Sequence, residues 1–320
     1  MNLIKYQSKF FLLSLLLISL LCLFSSAGLA NEKADNEQET DDKHWDVVLD
    51  INGTVNEYRI PINEIDLHTI DVDGRPFYFV EMYRDREKGP KPLIIFVHGT
   101  PGSWAEYTAF LTNDFLRDHF HMISVDRLGH GGSEGKVEPS LTAQAASLKA
   151  LLSKNTSDSG VILVGHSLGG PIIARTALDY PEQIGGLVFI ASTADPKHSH
   201  RWYNTLGGFL PISWFVPRNL RRANKEILPL KKQLKAMQPL WQNIKVPTTI
   251  IQGGKDKHVN PKNAEYIQKA LVNAKVNRVI LPEADHFIHW ENPQLLVDAL
   301  GTFVPQAKQE VDILEPKKQF

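Results

Sequence analysis

Three short stretches of this 320-residue chain carry side chains able to do nucleophilic chemistry together. The first is Gly165-His166-Ser167-Leu168-Gly169. It follows the apolar run Val161 to Val164 and opens a helical pattern. A strand, a very tight turn and a helix push a serine Oγ out beyond a sheet. The positive end of the helix dipole there stabilises developing negative charge. A serine hydroxyl is a poor nucleophile at neutral pH and needs a base. His286, in Glu283-Ala284-Asp285-His286-Phe287, follows the apolar run Arg278 to Leu281. Asp256, in Gly253-Gly254-Lys255-Asp256-Lys257-His258-Val259, follows Thr248 to Ile251. Both loops lie past the carboxyl ends of strands, where ligand sites gather in open sheets with helices on their faces. The expectation is that Ser167 attacks, His286 takes its proton, and Asp256 fixes the imidazole tautomer and stabilises the imidazolium. Asp256 has a plainer alternative, a solvated loop carboxylate paired with Lys255 or Lys257. Asp195, after the run Leu187 to Ala191, is the rival acid, and Asp285 a weaker one. Among the 12 histidines, His98, His119, His121, His166, His198, His200, His258 and His289 are read as structural or solvated.

A tetrahedral intermediate places negative charge on an oxygen and needs preorganised N–H donors. Leu168, just after the serine, supplies one. The turn Val97-His98-Gly99-Thr100-Pro101-Gly102-Ser103 supplies the other, assigned to Thr100 because Pro101 has no N–H. Taken alone, this stretch is a Gly/Pro-rich turn. Asp126-Arg127-Leu128-Gly129-His130-Gly131-Gly132-Ser133 is read as a glycine-rich loop buttressing that turn. It lacks the Lys–Ser/Thr ending of a phosphate loop.

The elements that must hold these residues follow from patterning. Leu67 to Val72, Asp73-Gly74 and Pro76 to Tyr83 read as a hairpin. Trp45 to Ile51 and Tyr58 to Ile62 are strand-like as well. After Pro92, short and almost wholly apolar runs (Leu93 to Val97, His121 to Val125, Val161 to Val164, Leu187 to Ala191, Thr248 to Ile251, Arg278 to Leu281) alternate with amphipathic stretches. Runs apolar on both sides suit a parallel sheet covered on both faces, so the class is α/β. Ser140 is a candidate N-cap for a helix carrying Leu141, Ala145, Leu148, Leu151 and Leu152 on one side. Residues 195–243 break the alternation and read as a small helical cap. Within it, Trp202, Trp214 and Phe215 are candidates to line an apolar pocket over Ser167, or equally to pack the cap onto the core. Residues 217–235 carry seven cations against Glu226 alone. That stretch is either a solvated helix face or a surface able to touch anionic lipid.

Residues 1–30 read as a signal peptide: Lys5 and Lys9, an apolar run from Phe10 to Phe24 too short to span a bilayer, then small residues ending at Ala30. Residues 31–45 read as a flexible acidic linker, 46–310 as one catalytic domain and 311–320 as a polar tail. The expected location is the periplasm or the medium, with a membrane anchor as the alternative. Cys22 is the only cysteine and lies in the segment expected to be removed, so thiol chemistry and disulfides are excluded from the mature chain. A formal net charge of −1 offers no field suited to nucleic acid. No metal-ligand cluster is visible and no cofactor is expected.

His98-Gly99-Thr100-Pro101-Gly102, the 126–133 loop, the Ser167 turn and the Asp256 and His286 loops occur in the order found in the α/β-hydrolase superfamily. The chain resembles its esterase and lactonase branch over roughly residues 91–304. The resemblance implies a mostly parallel eight-stranded sheet with a cap inserted after the sixth strand. It also implies a Ser-His-Asp triad that hydrolyses a carboxylic ester, lactone or thioester through an acyl-enzyme. A serine at position 167 departs from the haloalkane dehalogenases and epoxide hydrolases, which carry an aspartate there. Thr100 departs from the His-Gly-Gly-Pro-Gly turn of prolyl aminopeptidase-like members. Peptidase and C–C hydrolase chemistry run on the same triad, and a catalytically silent binding protein of this fold is the alternative outside enzymes. The partner implied is a small apolar ester-like molecule.

Overall fold

The computed structural model describes residues 65–133, 135–199 and 218–304, with side chains from 221 onward in the last segment, and two short strands before them. Those strands, β1 (Val48–Leu49) and β2 (Val55–Asn56), pair antiparallel within the unit Met1–Arg59. The signal stretch 1–30, the linker, the tail 311–320, and Trp202, Trp214 and Phe215 lie outside the described residues.

The larger unit, Ile60–Phe320, enters through the predicted hairpin. β3 (Ile65–Val72) and β4 (Arg75–Met82) pair antiparallel with Val72 opposite Arg75. The turn needs positive φ at both central residues, which Asp73 (53°) and Gly74 (76°) adopt. The Gly74 N–H donates to Asp71 Oδ1 at 3.0 Å.

β5 (Leu93–Val97), β6 (His121–Val125), β7 (Val161–His166), β8 (Ile184–Ile190), β9 (Thr248–Gly253) and β10 (Val276–Leu281) complete an eight-stranded sheet of order β10-β9-β8-β7-β5-β6-β4-β3. All pairings from β10 to β6 are parallel, and β4 pairs antiparallel with β6. Every residue of β5, β6, β7 and β9 is buried, which explains why these strands read as continuous apolar runs. Alternation survives underneath. Leu93, Ile95 and Val97 enter one core layer and Ile94 and Phe96 the other.

The helices sort by layer. α1 (Thr108–Leu111) and α2 (Asp114–His119) cover the Ile94 side. α3 (Leu141–Leu152) and α4 (Gly169–Asp179) cover the Leu93 side. Ser140 caps α3, its hydroxyl accepting from the Ala143 N–H at 3.2 Å.

Between β8, the sixth strand of the sheet, and β9, the described residues form α5 (Arg218–Met237), followed by a 3₁₀ turn at Gln238–Asn243. Ala223, Leu230, Leu234 and Met237 face inward, and Trp241 is fully buried. α6 (Lys262–Ala270), α7 (Ile288–Glu291) and α8 (Pro293–Gly301) finish the unit. Among the described residues no helix is long and apolar enough to cross a membrane.

Candidate active site

β7 ends at His166 and α4 starts at Gly169, so Ser167 and Leu168 must make the whole turn. Ser167 sits at φ 51°, a left-handed conformation costing a side-chain-bearing residue about 1–3 kcal/mol. Neighbouring backbone holds it there. Its N–H donates to the Ile190 carbonyl at 2.9 Å, and its carbonyl accepts from Gly170 and Thr193, each at 3.2 Å. The close approach requires glycine at 169, where a Cβ would lie 2.2 Å from the Val97 carbonyl oxygen.

The Asp256 and His286 loops are knitted together. Gly254 N–H donates to the Leu281 carbonyl at 2.8 Å and Lys255 N–H to that of Ala284 at 3.0 Å. A Cβ on Gly253 would meet the Asp285 carbonyl oxygen at 2.2 Å. This contact brings Asp256 Oδ2 to 2.9 Å from His286 Nδ1. The carboxylate also accepts from His258 N–H (2.8 Å), Val259 N–H (2.7 Å) and Gln252 Nε2 (3.1 Å). Burial raises the Asp256 pKa, but His286 and the two backbone donors outweigh it and hold the carboxyl below its usual range. Burial lowers the His286 pKa, partly opposed by Asp256. An ionised Asp256 can only accept, so Nδ1 carries the proton and Nε2 keeps its lone pair.

The rival acids are engaged elsewhere. Asp195 Oδ2 lies 2.8 Å from His198 Nδ1. Asp285 Oδ1 accepts from the His286 N–H at 2.8 Å and from the Lys257 N–H at 3.1 Å. Lys255 pairs with Glu283 and Lys257 with Asp285, so neither lysine holds Asp256.

The 98–100 turn lies against the serine: a Cβ on Gly99 would be 3.0 Å from Ser167 Cβ. Among the described residues no hydrogen bond takes the N–H of Thr100 or of Leu168. Beneath the turn, Arg127 Nε donates to the His98 carbonyl at 3.0 Å and Nη2 to that of Gly99 at 2.6 Å. The 126–133 loop is thus the expected buttress. Its own shape is fixed by Asp126, whose carboxylate accepts from the Trp104 N–H and the Gly132 N–H, each at 2.7 Å. Burial raises the Asp126 pKa to about 6 against those bonds.

Two groups were not legible in the sequence. Glu226, on the cap helix, is buried against Arg127 (Oε1 to Nη1, 2.6 Å), His130 (Oε2 to Nε2, 3.1 Å) and Thr100. Glu106 lies behind the serine turn, with Oε1 2.6 Å from His166 Nδ1 and 3.3 Å from His289 Nε2. The metal-binding atoms of Glu106, His166 and His289 all lie within 4.8 Å of one another, a grouping the sequence reading did not foresee. Glu106 and His166 approach to 2.6 Å. Two ligands on one zinc stand about 3.3 Å apart at zinc bond lengths and tetrahedral angles. The cluster therefore reads as an internal carboxylate–imidazole contact. Burial raises the Glu106 pKa, and His166 and His289 overcome it to hold the carboxyl well below its usual range. His166 Nε2 in turn reaches the His286 carbonyl oxygen at 3.3 Å. Residues 106, 166 and 289 are too far apart in sequence for any spacing rule to join them.

A sequence profile of the alpha/beta hydrolase family matches residues 94–299, from the second residue of β5 to α8. The chain belongs to the alpha/beta hydrolase family. An sn-1-specific diacylglycerol lipase of Mus musculus is 25% identical over 256 residues, covering 67% of this chain and 81% of the relative. A 2-(acetamidomethylene)succinate hydrolase of Mesorhizobium japonicum is 25% identical over 262 residues, covering 68% and 90%. The crystal structure of the enol-lactonase from Burkholderia xenovorans LB400 superposes with a TM-score of 0.59 at 16% identity, covering 75% of this chain and all (100%) of that one. The fold is therefore the expected one, with its sheet, its helices on both faces and its helical insertion after the sixth strand. This family member is an enzyme, and its activity is that of a hydrolase.

Proposed function

We propose that this hydrolase cleaves a carboxylic ester, lactone or thioester by way of an acyl-enzyme on Ser167. In this reading His286 Nε2 takes the proton as Ser167 Oγ bonds to the carbonyl carbon. Asp256 stabilises the imidazolium that results. The negative charge arriving on the carbonyl oxygen is received by the N–H groups of Leu168 and Thr100. Collapse of the intermediate expels the alcohol, or the thiol of a thioester, which takes the proton back from His286. Water then repeats the sequence on the acyl-enzyme and frees the acid.

The observation that carries this reading is the His286–Asp256 pair at 2.9 Å, in a loop whose His286 carbonyl touches His166, the residue before the left-handed Ser167. The relative named as a diacylglycerol lipase favours an acyl substrate with apolar parts. The test is turnover of p-nitrophenyl esters of increasing acyl length by the wild type and by Ser167→Ala. The expected loss in the variant is about 10⁴-fold or more in kcat. Equal rates for the two proteins would sink the serine mechanism. A fluorophosphonate that labels Ser167 in an enzyme inert on every ester would retain the mechanism and discard the substrate class.

A further inference from the structure

α5 carries a single acidic residue among its cations, and that residue is buried toward the site. Arg221, Lys225, Lys231, Lys232 and Lys235 face solvent. Glu226 is 2% exposed. Each Glu226 oxygen has partners on the core. Oε1 takes Arg127 Nη1 at 2.6 Å. Oε2 takes the Thr100 hydroxyl at 2.5 Å, with His130 Nε2 at 3.1 Å and Arg127 Nη2 at 3.3 Å. Burial raises the Glu226 pKa, but Arg127 and His130 prevail and keep it ionised. Two further contacts fix where the helix lies. Arg222 donates to the Gly129 carbonyl, and Gln233 accepts from the Leu141 N–H and donates to the Pro139 carbonyl, both at 2.7 Å.

We propose that Glu226 is a positioning residue through which the cap helix sets the Thr100 turn, so that the placement of the cap governs kcat. This inference rests on the reading of Thr100 as an oxyanion donor. A charge-assisted bond to a buried carboxylate fixes the Thr100 rotamer and, with it, the peptide that presents the Thr100 N–H. Arg127 grips the preceding carbonyls of His98 and Gly99. The turn is therefore held from the core on one side and from the cap on the other. Preorganised donors stabilise a transition state only when they are fixed before charge develops, and small displacements of such donors lower the rate.

The test is the kinetics of Thr100→Val, Thr100→Ser, Glu226→Gln and the Val/Gln double variant on one p-nitrophenyl ester, with Tm measured for each. Thr100→Val keeps the N–H and leaves the Arg127–Glu226 pair intact, so it separates the hydroxyl bond from folding. The expected result is a kcat about tenfold lower in Thr100→Val and Glu226→Gln with KM nearly unchanged. Thr100→Ser should restore the rate, and the double variant should be no slower than the worse single one. A lowered Tm with kcat intact, or losses that multiply in the double variant, would overturn the proposal. If the wild type hydrolyses no ester, the substrate reading has failed, and the rate of fluorophosphonate labelling of Ser167 decides the positioning role. Labelling about tenfold slower in both single variants supports it, and equal labelling rejects it.

Discussion

At the scale of single residues, the site is a set of ionisable groups whose environments push them apart. Burial holds His286 below its ordinary pKa of 6.5, while its carboxylate partner stays ionised. A base works only when neutral, so activity rises with pH through the His286 pKa and is flat above it. The expected profile of kcat/KM has its acid midpoint below pH 6.5 and a plateau across pH 7 to 8. A midpoint above 6.5 would mean that Asp256, which opposes burial, prevails over it. Exchange of Asp256 for Asn puts a donor opposite Nδ1 and favours the wrong tautomer. It is expected to lower kcat by roughly 10³–10⁴ with little change in Tm. Loss of Tm in proportion to loss of rate would instead assign Asp256 a structural task.

Elements decide what those residues can reach. The serine turn exists because β7 and α4 meet with a two-residue connection, and the Asp256 and His286 loops touch because β9 and β10 are parallel neighbours in register. α5 carries the cationic stretch that the sequence left open between a solvated helix face and a surface touching anionic lipid. Leu230 and Leu234 are buried in the core, which leaves Leu228, 46% exposed, as the exposed large apolar side chain on the cationic face among the described residues. A membrane contact through this face would therefore be electrostatic, without an inserted apolar surface. In flotation assays, any binding through this face is expected to be to anionic vesicles only and to be abolished by about 0.5 M salt, where the Debye length is only a few ångströms. Binding to neutral vesicles, or binding that survives salt, would show that residues beyond this face insert.

Across the whole molecule, Glu81 is one of the buried carboxylates, with Glu106 and Glu226, that contribute acid stability. It lies buried on β4 between His121 Nε2 at 2.7 Å, Lys154 Nζ at 2.7 Å and His68 Nε2 at 2.9 Å. Burial raises its pKa, but His121 and Lys154 reverse this and bring it to about 2 from 4.5. A depressed folded-state pKa contributes stability above the unfolded value, here about 4.5, that is lost as pH falls towards 2. Urea unfolding at pH 6, 4 and 3 is expected to show stability falling through this window, with a shallower fall in Glu81→Gln. An identical acid limb in the variant would move the origin elsewhere. Asp126 acts in the opposite sense. Its raised pKa, about 6, penalises folding above that pH and is relieved as the pH falls below it.

Much of this could be read from the chain itself, because it is encoded locally. Continuous apolar runs mark strands buried on both faces, Asp73-Gly74 marks a hairpin, Ser140 marks a helix start, and the glycines around Ser167 mark a turn that admits no bulk. Each depends on a few neighbouring residues whose sterics or hydration allow one solution. Glu226 on Thr100 and Glu106 on His166 and His289 were decided only by tertiary structure. So was the preference of His286 for Asp256 over Asp195. A buried carboxylate must find cations and donors, but which ones it finds depends on elements far apart in the chain arriving at the same place, and no local pattern records that arrival.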